Sequence, residues 1–152
     1  MSASRTAPIV CRNWANPSDG FYMAHFVLEY SDNIDSDILD LQQLLATLHS
    51  CARNTGIFPL KGIRSRAYAC RHYRIADGNP NHMFVHLAVL IGAGRRDEDK
   101  MLVAKTLFAV YEDHFAACFE RRGVALSFEL RELEPVLKFN RNNIQDFLEE
   151  QA

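Results

Sequence analysis

Ala24-His25-Phe26-Val27-Leu28-Glu29-Tyr30 is the stretch from which the rest of the chain is read. Phe26, Leu28 and Tyr30 alternate with His25, Val27 and Glu29, the period of a strand with one face in a core and one face out of it. The turn Ser31-Asp32-Asn33 closes it, and the period then changes. Ile38, Leu41, Leu45, Leu48 and Ala52 recur at helical spacing and form one apolar stripe. Asp35 or Ser36 can cap the start of that helix, and Gly56 can take the left-handed conformation that ends it. A second strand is expected from Ile63 to about Tyr73, with regular pleating placing Arg64, Arg66 and Tyr68 on one face.

Beyond the turn Asp77-Gly78-Asn79-Pro80-Asn81 the same order returns. Met83 to Ile91 is apolar enough to lie inside a sheet. Leu107, Phe108, Tyr111, Phe115, Cys118 and Phe119 give the stripe of a longer helix, which Gly123 is expected to terminate. Val124, Leu126, Phe128 and Leu130 then alternate with Ala125, Ser127, Glu129 and Arg131. The expected fold is α+β: two strand-helix-strand repeats, each helix crossing between parallel strands, and a four-stranded sheet with both helices on one face. Nothing in the sequence covers the other face, so burial by neighbouring subunits, and hence a homo-oligomer, is expected. After Pro135, Asn142 or Asn143 can begin a short helix carrying Ile144, Phe147 and Leu148. Residues 1–22 mix Ser, Thr, Pro, Asn and Gly and read as an irregular extension ahead of a domain over 23–152.

A chain of 152 residues, 48% of them hydrophobic, is enough for one domain with a real core. A formal net charge of -2 gives no general attraction to nucleic acid or to an anionic membrane. No apolar run is long enough for a membrane helix, and residues 1–22 lack the hydrophobic stretch of a secretory signal. Cys11, Cys51, Cys70 and Cys118 are widely spaced, with no Cys-x-x-Cys pair, as suits reduced thiols and a cytoplasmic location. Two strand-helix-strand halves also describe RNA-recognition modules, but the third strand has no Lys/Arg-Gly-Phe/Tyr run with interleaved aromatics.

Chemistry concentrates in Gly56-Ile57-Phe58-Pro59-Leu60-Lys61-Gly62-Ile63-Arg64-Ser65-Arg66 and in Ile91-Gly92-Ala93-Gly94-Arg95. Each puts an arginine after a glycine-bearing turn where strand and loop meet. Two guanidinium forks so placed suit one carboxylated ligand, the plain alternative being solvated surface arginines. Arg66 could face the same cavity or pair with a neighbouring acid. Gly92-Ala93-Gly94 lacks the spacing and the lysine of a phosphate loop and reads as a turn that orients Arg95. The mixed run from Arg95 to Lys100 reads as the solvated first turn of the second helix. His82 and His86 are four apart, but on a strand that offset is about 13 Å, so no metal site follows and His86 reads as a satisfied sheet histidine.

Taken together and in order, these segments resemble the 5-carboxymethyl-2-hydroxymuconate delta-isomerase family of the tautomerase superfamily. The resemblance spans Met23 to about Leu148. It rests on His25-Phe26 with Ser31-Asp32-Asn33-Ile34, the two arginine segments, Phe84-Val85-His86, Leu126-Ser127-Phe128-Glu129, Pro135 and Asn142-Asn143. It implies a homotrimer with active sites near subunit boundaries and no metal or organic cofactor. It also implies isomerisation of a carboxylated 2-hydroxymuconate-type dienol to its 2-oxo form in bacterial homoprotocatechuate breakdown. Arg64 and Arg95 match the family's substrate-binding arginines. The family's base is the secondary amine of an amino-terminal proline, and here Ala24 stands at that position, joined to Met23. An alanine amine could serve if the chain began there; otherwise the expectation is a tautomerase-like protein that binds small carboxylates without turnover. His25, next to that position, and Glu29, on the same strand face, are candidates for a substitute proton carrier, against a purely structural hydrogen-bonding role.

Overall fold

In the computed structural model, which describes residues 23–149, the opening alternation becomes β1 (Ala24–Ser31). Ala24, Phe26 and Leu28 are fully buried on one face, while His25, Val27 and Glu29 lie on the other. β2 (Ile63–Cys70) runs parallel to β1 and β3 (His82–Ile91) antiparallel to it, while β4 (Gly123–Glu132) runs parallel to β3. The sheet order is β2-β1-β3-β4. Each half is therefore a parallel pair, which requires a crossover, and a helix supplies it.

The first crossover is not the single helix that the spacing suggests. It is split into α1 (Ser36–Leu39) and α2 (Leu41–Asn54), with Asp40 between them at φ 30°, ψ 63°. An L-residue rarely takes this left-handed conformation, and aspartate is among those that tolerate it. The break turns the apolar stripe, so Leu39, Leu44, Leu48 and Ala52 are buried while Ile38 is exposed. Asp35 precedes α1 but makes no side-chain cap; the Asp40 carboxylate instead accepts from the Gln43 backbone N–H that starts α2. Gly56 follows α2 at φ 72°, the left-handed stop expected of it. β2 ends at Cys70, three residues short of the expected Tyr73.

The second crossover, α3 (Asp97–Phe119), is unbroken and buries Val103, Leu107, Tyr111, Phe115 and Cys118. Phe119 is half exposed rather than part of the stripe. α3 ends before the turn at Glu120, so Gly123 does not terminate it; Gly123 is the first residue of β4. Its missing side chain has another cause, since a Cβ there would run into the His82 ring. Phe26, Leu28, Val85, Leu87 and Val89 of the sheet share one core with Leu44, Leu48, Leu107, Tyr111 and Phe115, so both helices cover the same face. No described helix covers the other face, where Tyr68 is 51% exposed. Beyond β4, residues Ile144–Phe147 form a 3-10 turn with Asn143 before it, and Phe147 is 78% exposed.

The expected extension over 1–22, with Cys11, lies outside the described residues. Cys51, Cys70 and Cys118 are free thiols. Among the described residues, no helix is long and apolar enough to cross a membrane.

Candidate active site

Ala24 begins β1 between Ile63, at the start of β2, and Ile91, at the end of β3. It is fully buried, and the Met23 carbonyl before it accepts a hydrogen bond from the Gly92 backbone N–H at 3.1 Å. The register thus brings Ala24, Arg64 and the loop that carries Arg95 to one end of the sheet. It does not put them on one side. Arg64 is in register with His25, whose side chain lies on the helix-free face. Arg95 lies across Phe58, its guanidinium carbon 4.6 Å from the ring centroid, and donates from Nη1 to the Gly92 carbonyl at 2.7 Å.

Arg95 is therefore no solvated helix-start residue. It is 6% exposed, and Arg96, not Arg95, immediately precedes α3. Burial pulls the Arg95 guanidinium below the usual arginine range, and the Glu132 and Asp99 carboxylates oppose that shift. Arginine stays charged under any such shift, so this is a cation held on an apolar ring at the sheet end. Gly94, at φ 99°, takes a backbone conformation that residues with a side chain rarely adopt, in the turn that leads into Arg95.

Arg64 and Arg66 alternate with Ser65 on β2. Among the described residues neither is in an ion pair, whereas Arg96, Lys100 and Arg131 all are. Arg66 does not take an acidic partner; its Nη1 lies 3.4 Å from His25 Nδ1. Burial, then Arg64, Arg66 and Lys138, hold the His25 imidazole below its ordinary range. The result is a positive patch on the open face, next to the buried start of β1. Such a patch favours a ligand that brings negative charge.

The remaining histidines of β3 are accounted for by contacts. His82 Nε2 pairs with Asp77 at 3.0 Å, while His86 Nδ1 meets Ser127 Oγ at 2.7 Å and His86 Nε2 meets Glu129 at 3.3 Å. Phe58 beneath Arg95 and Lys138 beside His25 were not singled out by sequence pattern. Phe58 sits within the quoted Gly56–Arg66 segment, but only the tertiary fold lays it against a loop more than thirty residues later.

Residues 24–148 match the 5-carboxymethyl-2-hydroxymuconate isomerase family, a match that begins at the first residue of β1. The chain belongs to that family. The 5-carboxymethyl-2-hydroxymuconate Delta-isomerase of Escherichia coli is 44% identical over 122 residues, covering 80% of this chain and 96% of the relative. The crystal structure of a 5-carboxymethyl-2-hydroxymuconate isomerase from Deinococcus radiodurans R1 superposes with a TM-score of 0.79 at 40% identity, covering 86% of this chain and 97% of that one. A second crystal structure, of a 5-carboxymethyl-2-hydroxymuconate delta-isomerase, gives 0.77 at 25% identity, covering 87% and 97%. The family membership and the α+β fold of two strand-helix-strand repeats therefore stand together: this is an isomerase-family chain with the tautomerase-like sheet.

Proposed function

We propose that this chain is an isomerase converting a carboxylated 2-hydroxymuconate-type dienol to its 2-oxo isomer, in the breakdown of an aromatic compound in the bacterial cytoplasm. The observation that carries the reading is the set of cations at the start of β1 in a chain 44% identical to the E. coli isomerase. In this reading Arg64, on the open face, holds a substrate carboxylate, and Arg95, buried against Phe58 at the same end of the sheet, is the second substrate-binding arginine, the positive charge of the two stabilising the oxyanion that forms as the enol loses its proton. The base removes the proton of the 2-hydroxyl, the double bonds shift, and a proton is delivered to a distant carbon. In this reading the base stands at residue 24, the position of the family's proline, no metal or organic cofactor takes part, and a homotrimer buries the helix-free sheet face.

Ala24 supplies this chemistry only as a free amine. Joined to Met23 its nitrogen is an amide, which is not basic; at a chain terminus it would have an ordinary pKa of about 7.7–8.0, lowered further by nearby cations. Turnover of 5-carboxymethyl-2-hydroxymuconate is therefore expected from protein that begins at Ala24, and Arg95→Ala should abolish it. No turnover from that form would overturn the reading. The buried, Met23-linked Ala24 favours a second reading, a carboxylate-binding protein without turnover. It requires the full chain to bind dicarboxylates in calorimetry while leaving the dienol unchanged.

A further inference from the structure

His25 stands in register with Arg64 on β2, and Val27, the next residue on that face of β1, stands in register with Arg66. The ring thus lies between two arginines. A guanidinium has only N–H donors, so the 3.4 Å contact requires Arg66 to donate and His25 Nδ1 to present its lone pair. The ring proton must then be on Nε2, and the ring is neutral. The other neighbours agree. Arg64 and Arg66 of β2 and Lys138 of the C-terminal segment act on the ring, Leu90 of β3 is in register on its other side, and Glu29 lies further along the same face of β1. A protonated ring would set an Nδ1–H against the Arg66 N–H and add a fourth cation to three.

We propose that His25 is a neutral hydrogen-bond donor in the carboxylate site, its Nε2–H fixed by Arg66 to bind a substrate oxygen beside Arg64, and that it does not carry the proton of the reaction. The assignment rests on the reading of Arg64 as a carboxylate-binding residue. A carboxylate has more lone pairs than one arginine fork fills, and a neutral donor adds direction without adding charge to a site already crowded with cations. Arg66 in this arrangement is a positioning residue. It acts on the ligand through the tautomer of His25.

The test is long-range proton–nitrogen NMR on the full chain labelled at histidine nitrogen, with adipate as the unreactive dicarboxylate probe. At neutral pH the His25 ring should show the Nε2–H tautomer, its Nε2 resonance should move on adding adipate, and Arg66→Ala should release the ring into a tautomer mixture. His25→Leu should weaken adipate binding about tenfold, the loss of one hydrogen bond to a charged group. His25→Gln, which can donate but cannot carry a proton, should recover most of that loss, and in protein beginning at Ala24 it should recover turnover likewise. An Nδ1–H tautomer, an imidazolium at neutral pH, or a glutamine variant as impaired as the leucine variant would overturn the proposal. Binding that depends on Arg64 while His25 stays silent overturns the role of His25 alone; no adipate binding by the native chain overturns the carboxylate site and His25 with it.

Discussion

The two halves of the sheet share a topology and differ in how they handle charge. Residues 24–70 and 82–132 each form a parallel strand pair with a helical crossover, and the halves meet through the antiparallel β1–β3 ladder. On the helix-free face of the second half charges are matched: Arg131 pairs with Glu129 at 3.4 Å, and Glu129 also meets His86. On the same face of the first half, Arg64 and Arg66 have no carboxylate among the described residues. Surface ion pairs contribute little to stability, so the contrast bears on ligands more than on folding. A repeated scaffold leaves one copy's cations available, and that copy adjoins the start of β1.

The sharpest way to break this contrast is to remove one arginine from each half. In protein beginning at Ala24, Arg64→Ala should lower kcat/KM for the dienol by about a hundredfold or more, the scale of losing one stabilising donor at a developing oxyanion. Arg131→Ala, which removes a cation already neutralised by Glu129, should change it by less than about threefold. Equal losses in steady-state assays would show that the pairing pattern does not locate the site. Arg64→Lys should not restore activity, because an ammonium lacks the planar fork.

The halves also differ in what their helices bury. Phe115→Ala in α3 should cost about 3–5 kcal/mol in urea unfolding, and Leu48→Ala in α2 about 2–5 kcal/mol, since both side chains are fully buried. Tyr111, one turn before Phe115, should respond in the opposite direction. Its hydroxyl is buried without a hydrogen-bond partner among the described residues, and burial raises its pKa. Tyr111→Phe removes a desolvated polar group while keeping the ring edge-on to Phe115 at 5.7 Å, so it should be neutral or stabilise by up to about 1 kcal/mol. A loss above that would mean that the hydroxyl is bonded in solution.

Most of this frame is legible in the sequence because it depends on local period. The alternation at Phe26 and Leu28, the stripe through Leu107, Tyr111 and Phe115, and the turn at Asp77–Asn81 need only neighbours in the chain. The first crossover misleads because the left-handed Asp40 shifts the phase of the stripe, and apolar spacing alone carries no mark of such a break. Gly123 misleads for another reason: its constraint comes from His82, a partner forty-one positions away. Arg64 and Arg95 stand out by their turns, but the strand order 2-1-3-4 is needed to see that His25 lies beside Arg64 and that Arg95 lies on Phe58.

Asp40 offers a smaller test of the broken crossover. Asp40→Ala should cost about 1–2 kcal/mol, because it loses the bond to Gln43 and puts a worse residue in the left-handed region. Asp40→Gly should cost less, since glycine takes that conformation freely and only the cap is lost. The reverse order in urea unfolding would show that the side-chain cap, not the backbone, holds the break. No such break exists in α3, so the second half provides no equivalent position.

The smallest expected effect distinguishes the halves by their helix histidines. His49 of α2 places Nε2 2.8 Å from Ser65 Oγ of β2 and sits edge-on to Phe26 at 5.9 Å, whereas His114 of α3 reaches the Leu39 carbonyl at 2.9 Å. A carbonyl only accepts, so His114 must donate there; His49 instead meets a hydroxyl, which can donate or accept, and an aromatic edge. Burial lowers the His49 pKa. The sign follows from proton uptake. Below the ordinary histidine value of about 6.5 the unfolded chain binds a proton that the folded chain still refuses, so stability falls as pH drops from there through the lowered native value. His49→Gln can keep a bond to Ser65 but cannot titrate, so its urea midpoint should fall less steeply than that of the native chain over this window. His25, whose pKa is lowered too, leaves its own slope in both proteins. Parallel curves for the two would mean that His49 is protonated in the fold, and that its contact with Ser65 is made by an imidazolium.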